Sequence, residues 1–532
     1  IDFGDKEVYG EIHRAQTTGV FQIESRAQMQ MLKRTLPENL DDLTVQVALV
    51  RPGPILGGAV HPYIERKKAL REDPGYEIPY EHPALEPVLK DTLGAIPFQD
   101  QVIEVAMELA GFSAGDAEGL RRAMSRKRSE EAMRSYEAQF VAGAVKRGVE
   151  AEVARSVYDK IVGFSGFGFP KSHSAAFGLL AYQSTWLRVH YAPEFLCALM
   201  NEQPMGFYPP DTLVHEAQRR GVQVLAPDVQ ASGVECLVQD GALRMGLAYV
   251  SGVKDEEVEA LVAERERGGP YRTVPDLSAR SGMGADSLAK LAWAGACDQL
   301  LRGPVSSRRR QALWLLGVAA PGVPMGRRGK HGTQLALPLD LHDAPELEEL
   351  SVWDRLLADY GSIGVTLHEH PLELMRPTLP SGTFSSAGLE RTRDGSPVRV
   401  AGLVVARQRP ATAKGVTFML LEDEFGTLNL IVPPPVHDRC RPAVRGEPLV
   451  IAAGKLEHRE GVTNVVVHDV QRLDRGDLPR AGIRHIEPRR TWSTDGSGSR
   501  DAGHVGPVTP GAMPADLREV APAANSFGRG RR

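Results

Sequence analysis

The stretch Gly166-Phe-Gly-Phe-Pro-Lys171-Ser172-His173-Ser-Ala-Ala-Phe177 puts a cation, two hydroxyls and an imidazole on a glycine-loosened turn leading into an apolar run. Backbone N–H groups at a helix start, with Lys171 beside them, make a seat for an anion such as a phosphate. Upstream, Leu120-Arg121-Arg122-Ala-Met124 sets two arginines side by side, so the two segments together could clamp a polyphosphate. A plainer reading stays open: a helix entry with a solvated Lys171 and Ser172 as its cap. His173 lies between two serines, but no third group orients it, so nucleophilic catalysis is not expected there.

These residues need rigid carriers. Val102, Ile103, Val105, Ala106 and Leu109 follow the spacing of an amphipathic helix that Gly111 stops. Ser113 and Asp116 form a capping-box pattern that starts the helix bearing Arg121 and Arg122. Neighbouring side chains on a helix diverge by about 100°, so the two arginines are not expected to meet at one atom. Ala175 to Val189 is apolar over most of its circumference and is expected to be buried, fixing Lys171 and His173 to a rigid element.

The chain has 532 residues, too long for one core. A formal net charge of −5 argues against a uniformly basic nucleic-acid coat, although Arg121 to Arg128 holds five basic residues and no acidic one. Cys197, Cys236, Cys297 and Cys440 are widely separated, and His368 and His370 lack further ligands at metal-binding spacing. No zinc site is therefore read from the sequence, and a reducing cytoplasm is expected. No apolar run is long enough to span a membrane.

Further along, Leu247-Ala-Tyr-Val-Ser251-Gly252-Val-Lys254, followed by Glu257 to Glu264, resembles a helix-hairpin-helix. In that motif a hairpin glycine exposes amides to DNA phosphates, and Ser251, Gly252 and Lys254 are the candidate contacts. Its bland alternative is a turn before an amphipathic helix. Pro321 to Gly332 reads as a linker. Five β-rich segments, at Val398–Val400, Thr417–Leu421, Leu428–Val432, Leu449–Ala452 and Asn464–Val467, have the longer break after the third that marks an OB-fold. Phe418 is the one ring in those segments, so contact through Arg407, Arg409 and Lys414 is expected over base stacking. The reading is a multidomain α+β chain. It comprises a helical domain at 1–204, a helix-hairpin-helix domain at 205–319, a linker at 320–380, an OB-fold β-barrel at 381–475 and a disordered tail at 476–532.

Gly19-Val-Phe21-Gln-Ile-Glu24-Ser25, Val50-Arg51-Pro-Gly-Pro54, Phe98-Gln-Asp-Gln101, Leu120 to Met124 and Gly166 to Phe177 occur in that order. Together they resemble the fingers of bacterial C-family DNA polymerases, the alpha subunits of DNA polymerase III, and the resemblance runs to about Arg475. Asn201 to Tyr208, Arg309 to Trp314, Arg407 to Phe418 and Pro170 resemble the error-prone, translesion paralogue, while Lys171 resembles the replicative form. The resemblance implies a DNA-directed DNA polymerase acting in repair and damage-induced mutagenesis. It also implies nucleotide contacts at Arg121, Arg122, Lys171, Ser172 and His173, with primer–template DNA, deoxynucleoside triphosphates and translesion accessory proteins as partners. The alternatives are the replicative alpha subunit, or a non-catalytic DNA-binding protein of hairpin and OB modules.

In this family Mg2+ is held by palm aspartates that precede the segment resembling Ile1 to Gly10. Asp2, Asp5, Asp41 and Asp42 do not match that motif. The chain, starting at Ile1, is expected to be a fragment without the PHP and palm regions, and so inactive alone.

Gln334-Leu335-Ala-Leu337-Pro-Leu339 resembles the peptides by which bacterial polymerases dock on the sliding clamp, with the leucines as apolar anchors and Gln334 setting register; its alternative is a linker packed onto its own domain. A synthetic peptide spanning Gly332 to Asp340 should bind isolated clamp in calorimetry, and replacing Leu337 and Leu339 with Ala should abolish the heat. Silence at about millimolar peptide, a weak-binding limit, would exclude direct contact.

Overall fold

The computed structural model describes residues 1–51, 54, 58–125, 130–164, 169–206, 208–319, 344–410, 413–459, 461–474, 516–522 and 524–527. Their contacts form two units, Ile1–Tyr191 with Arg459–Val462, and Ala192–His458 with Thr463–Arg532. The peptide with Gln334, Leu335, Leu337 and Leu339, and tail residues 475–515, lie outside the described residues. Among the described residues no helix is long and apolar enough to cross a membrane.

The first unit carries helices α1 (Lys6–His13), α2 (Arg26–Thr35), α3 (Leu40–Leu49), α4 (Val60–Glu72), α5 (Gln99–Ala110), α6 (Ala114–Ser125), α7 (Glu130–Lys146), α8 (Ala151–Phe164) and α9 (Lys171–His190). Ser25 and Asn39 cap α2 and α3 by accepting from Gln28 N and Asp42 N. The α5 pattern buries Val102, Val105, Ala106 and Leu109, and Gly111 ends the helix at φ +68°. Ser113 starts α6 as expected, its Oγ accepting from Asp116 N at 3.2 Å. Val105, Leu120, Phe140 and Tyr158 join α5 to α8 in one core; Ile12, Leu32, Leu43 and Tyr182 join α1, α2, α3 and α9 in another.

α9 departs from its expected burial. Leu179, Leu180 and Leu187 are 36%, 45% and 43% exposed. The buried face instead uses Ser174, Gly178, Ala181, Tyr182, Thr185 and Arg188. The reason is close approach to α3: Ser174 Oγ donates to Thr44 O at 2.5 Å, and a Cβ on Gly178 would lie 3.2 Å from Thr44 N. Small residues win positions 174 and 178 of that face because leucines there would hold the helices apart.

The second unit begins with α10 (Ala192–Asn201) and α11 (Pro210–Arg219). A small sheet follows, of β1 (Val224–Leu225), β2 (Leu237–Gln239) and β3 (Ala242–Arg244) in the order β1-β3-β2. Then come α12 (Asp255–Gly268), α13 (Val274–Arg280), α14 (Ala285–Trp293), α15 (Val305–Ala319), α16 (Val352–Ile363) and α17 (Pro371–Met375). Strands β4 (Pro397–Gln408), β5 (Thr417–Asp423), β6 (Gly426–Val432), β7 (Leu449–Arg459) and β8 (Val462–Arg472) run in the order β4-β5-β6-β8-β7, and β4 pairs back on β7. That closed five-stranded barrel is the OB arrangement. The long break after the third strand holds helices Pro434–Arg439 and Arg441–Gly446, which press Val436 and Val444 into the barrel core.

The expected tail disorder does not extend to its last described stretch. A helix at Leu517–Val520 buries Leu517 and Val520, and Asn525–Phe527 pairs in parallel with Ala406–Gln408 of β4. These are among the few large apolar residues of the tail, and Arg518 anchors them to Glu447 at 3.0 Å and Asp474 at 2.5 Å.

A buried ionic network ties α11 to β5 and α16. Glu422 accepts from Thr212 Oγ1 at 2.8 Å and Arg219 Nη1 at 3.0 Å, while Asp211 accepts from Tyr360 Oη at 2.9 Å and Thr366 N at 3.1 Å. The His215 ring lies between the two carboxylates, 3.4 Å from each. Burial pushes the His215 pKa down, but Asp211 and Glu422 outweigh it and raise the pKa to about 8. Burial lifts Asp211 to about 6. Burial and neighbouring His215 hold His370 down to about 3.

A raised histidine pKa gives stability that is full below the unfolded value near 6.5 and lost as pH passes about 8. The melting temperature of the second unit should therefore fall between pH 6.5 and 9. The Asp211 contribution has the same sign but is already lost by about pH 6. Glu422→Gln removes one partner of this buried set, and should cost about 3–5 kcal/mol in denaturant unfolding.

Candidate nucleotide and DNA contacts

Lys171, Ser172 and His173 form the exposed first turn of α9, as expected from their placement after Pro170. Pro170 at the N-cap offers no side-chain acceptor, so the first amides of α9 need one from elsewhere. Asp100 of α5 supplies it: Lys171 N donates to Asp100 Oδ2 at 2.6 Å. The start of α5 is stitched to the same segment, since Gln99 N donates to Phe169 O at 3.0 Å and Phe98 bridges Phe169 in parallel. Lys171 Nζ pairs with Asp91 at 3.1 Å. The His173 ring packs edge-on against Phe169 and Phe177, with centroids 4.5 Å and 4.1 Å away. Arg51 covers Phe169 at 3.8 Å.

Arg121 and Arg122 do meet at one atom, contrary to the divergence expected of helix neighbours. Arg121 Nη2 and Arg122 Nε both donate to Glu118 Oε1, at 2.7 Å and 2.8 Å. Long side chains at i+3 and i+4 from one glutamate converge although their Cβ atoms diverge. Hydrogen bonds from Arg121 and then Arg122 hold the Glu118 pKa down at about 2. Glu118 first, and the Asp100 charge more weakly, favour charged Arg121 against burial. Asp100 thus touches the Lys171 half of the sequence-read clamp, and its charge is felt at the Arg121 half. Sequence reasoning missed it, because its role depends on a contact with a residue far along the chain.

At the hairpin, Gly252 adopts φ +76° and its carbonyl accepts from Lys290 Nζ at 2.8 Å, while Ser251 N donates to Ser362 O at 2.7 Å. Ser251, Gly252 and Lys254 are exposed, but Asp255, Glu256 and Glu257 fill the first turn of α12. A second hairpin, unread in the sequence, joins α13 to α14 through Ser281-Gly282-Met283, with Gly282 at φ +70°. Its signal was the repeated Ser-Gly-apolar triplet, Ser251-Gly252-Val253 and Ser281-Gly282-Met283. Glu257 reaches across to accept from Gly284 N at 3.3 Å.

On the barrel, Arg409 and Lys414 are exposed in the β4–β5 connection. Arg407 is not a free surface cation: its Nε donates to Val444 O at 2.8 Å and its Nη2 to Glu447 O, and burial lowers its pKa to about 10. The DNA contact expected of Arg407 is overridden by two carbonyls left open at the end of a short helix.

Nor do the carboxylates suit a catalytic metal pair. Asp5 accepts from Glu7 N at 2.8 Å and pairs with His190 at 2.7 Å, and Asp42 pairs with Lys67 at 2.6 Å. His215, His370 and Glu422 bring possible ligand atoms within 4.8 Å of one another. That group does not fit a metal cation either. Arg219 and Thr212 hold both Glu422 oxygens, and His370 Nδ1 accepts from Leu372 N at 3.1 Å, which leaves the ring proton on Nε2.

The two barrel arginines should separate in mutagenesis. Arg407→Ala should cost about 1–3 kcal/mol of stability in urea unfolding, from two carbonyls losing their donors. Arg409→Ala should leave stability unchanged and lower affinity for single-stranded DNA in a filter-binding or anisotropy titration.

Residues 1–148 match the bacterial DNA polymerase III alpha subunit finger domain, and residues 221–312 match a helix-hairpin-helix motif. An error-prone DNA polymerase of Anaeromyxobacter dehalogenans is 41% identical over 485 residues, which cover 88% of this chain and 41% of that protein. One from Burkholderia pseudomallei is 42% identical over 480 residues, covering 88% and 44%. One from Corynebacterium glutamicum is 39% identical over 486 residues, covering 91% and 44%. The chain spans about two fifths of the length of these relatives. Over most of its length the chain is thus similar to error-prone DNA polymerases, and over its first 148 residues to the finger domain of the bacterial DNA polymerase III alpha subunit.

Proposed function

We propose that this chain supplies the nucleotide- and DNA-contacting portion of an error-prone DNA polymerase, which copies damaged template in repair and damage-induced mutagenesis. The observation that carries the reading is the finger-domain match over residues 1–148, joined to 41% identity with an error-prone polymerase over 485 residues. In this reading Arg121, Arg122 and Lys171 neutralise the triphosphate of an incoming deoxynucleotide, as charge-assisted donors. His173 sits against the nucleotide's sugar or a phosphate, and Ser172 donates to the same group. Lys171–Asp91 is a surface pair of small net energy, and Arg122 is 72% exposed beside Glu118, so phosphate oxygens can replace the carboxylates there.

In the same reading the fingers meet primer–template DNA, and within the second unit the two Ser-Gly hairpins and the barrel loop of Arg409 and Lys414 each offer contacts to a DNA backbone. Three carboxylates at the start of α12 limit what the first hairpin adds, so the loop cations carry more of that contact. Accessory translesion proteins and the sliding clamp are the proposed partners, the clamp through Gln334 to Leu339. Magnesium supplies the two-metal chemistry of nucleotidyl transfer when bound. Asp5 and Asp42, already paired with His190 and Lys67, do not fit it.

Arg121→Ala and Lys171→Ala, placed in a polymerase of full relative length, should weaken nucleotide use by about 1.5–3 kcal/mol, the range for a lost hydrogen bond to a charged group. Steady-state kinetics should show the loss against nucleotide concentration or turnover, with primer–template affinity little changed. Unaltered kinetics in folded variants would make these residues ordinary surface cations.

A further inference from the structure

We infer that Asp100 is a positioning residue of the nucleotide site, a resident anion that holds the phosphate seat at the start of α9 and is displaced when the nucleotide binds. The inference rests on the nucleotide reading above, and adds to it a residue and a way of loading the site.

Three observations point to Asp100. The seat is an amide at the start of a 20-residue helix whose N-cap is proline, so no local oxygen satisfies it. Asp100 Oδ2 occupies that amide at 2.6 Å. Its charge is also felt by Arg121 of α6 and by Glu104 of α5, and Glu104 in turn feels Lys171 and Asp91. One carboxylate thus touches the start of α9 directly, and its charge reaches groups on α5 and α6. Burial, then the Asp100 charge, pushes the Glu104 pKa up, so negative charge is already crowded there.

Asp100 does two separable things. As a hydrogen-bond acceptor it caps α9 and, beside the Phe98–Phe169 bridge, keeps the starts of α5 and α9 in register. As a charge it competes with any incoming phosphate for the Lys171 amide, and repels it after displacement. An asparagine keeps an acceptor oxygen and removes the charge. An alanine removes both.

The test uses the full chain, with dATP and inorganic tripolyphosphate as probes. Affinity is measured by competition against a fluorescent nucleotide at two salt concentrations, and folding by thermal melting. Asp100→Asn should melt like the parent and bind both probes more tightly, on the order of fivefold at low salt, as expected for one fewer like charge a few ångströms away. The gain should shrink at high salt. Asp100→Ala should melt lower and lose that gain. Equal or weaker binding by a normally melting Asp100→Asn would overturn the inference and leave the nucleotide reading standing. Failure of the parent chain to bind either probe would overturn both.

Discussion

The parallel bridge between Phe98 and Phe169 is the constraint on which the candidate nucleotide site depends. It joins the residue before α5 to the residue two before α9, and the bond from Gln99 N to Phe169 O at 3.0 Å reinforces it. Once the two helix starts lie side by side, Asp100 is within reach of the Lys171 amide. Phe169, 7% exposed, then becomes the ring against which Arg51 stacks and His173 packs. Gln101 locks the α5 end of this seam, accepting from Phe98 N at 3.2 Å while donating to Thr92 Oγ1 at 2.8 Å. Four polar or aromatic residues in a short stretch thus fix three separate chain segments. This explains why the Phe98-Gln-Asp-Gln101 phrase is informative although none of its members is a surface cation.

Much of this arrangement was legible locally. Helix starts with Ser or Asn, the Gly111 stop, the Arg121–Arg122 helix and the five barrel strands follow from period, caps and turn residues, which act over a few residues. The Asp423-Glu-Phe-Gly426 turn is of this kind: Asp423 Oδ1 accepts from Phe425 N at 3.0 Å and Gly426 N at 3.1 Å. What stayed hidden depends on distant partners. The apolar surface of α9 is not its buried surface, because α3 approaches too closely for leucine. Arg407 is a structural donor because a helix end happens to open toward it. His215, Asp211 and Glu422 read as scattered polar residues until α11 is laid on β5.

Resemblance and physics also divided the work differently at different places. Arg309 belongs to a phrase that resembles the error-prone paralogue, and the structure buries it in a pair with Asp359 at 2.6 Å. Part of that subfamily wording therefore serves the packing of α15 on α16 and not contact with a partner. The same caution applies to the hairpins. Glu257 of α12 holds the Gly284 amide, and Lys290 of α14 holds the Gly252 carbonyl, so each hairpin is braced by the helix that follows the other.

Burial decides what identical pairs of residues do in this chain. In the second unit Arg309–Asp359 is buried on both sides and the Glu422 carboxylate of Arg219–Glu422 is fully buried, so removing either arginine strands a buried charge and those pairs are permanent. In the first unit Lys171–Asp91 leaves half or more of each side chain in solvent, at 51% and 72% exposure, and Arg122 is 72% exposed beside Glu118. Water can solvate those carboxylates once they let go, so the cost of parting is small. A chain of net charge −5 has no general attraction for a polyanion. It can still hold one where its cations are lent to exposed carboxylates and not committed to buried ones, and among the sequence-read phosphate contacts those loans are made around the start of α9.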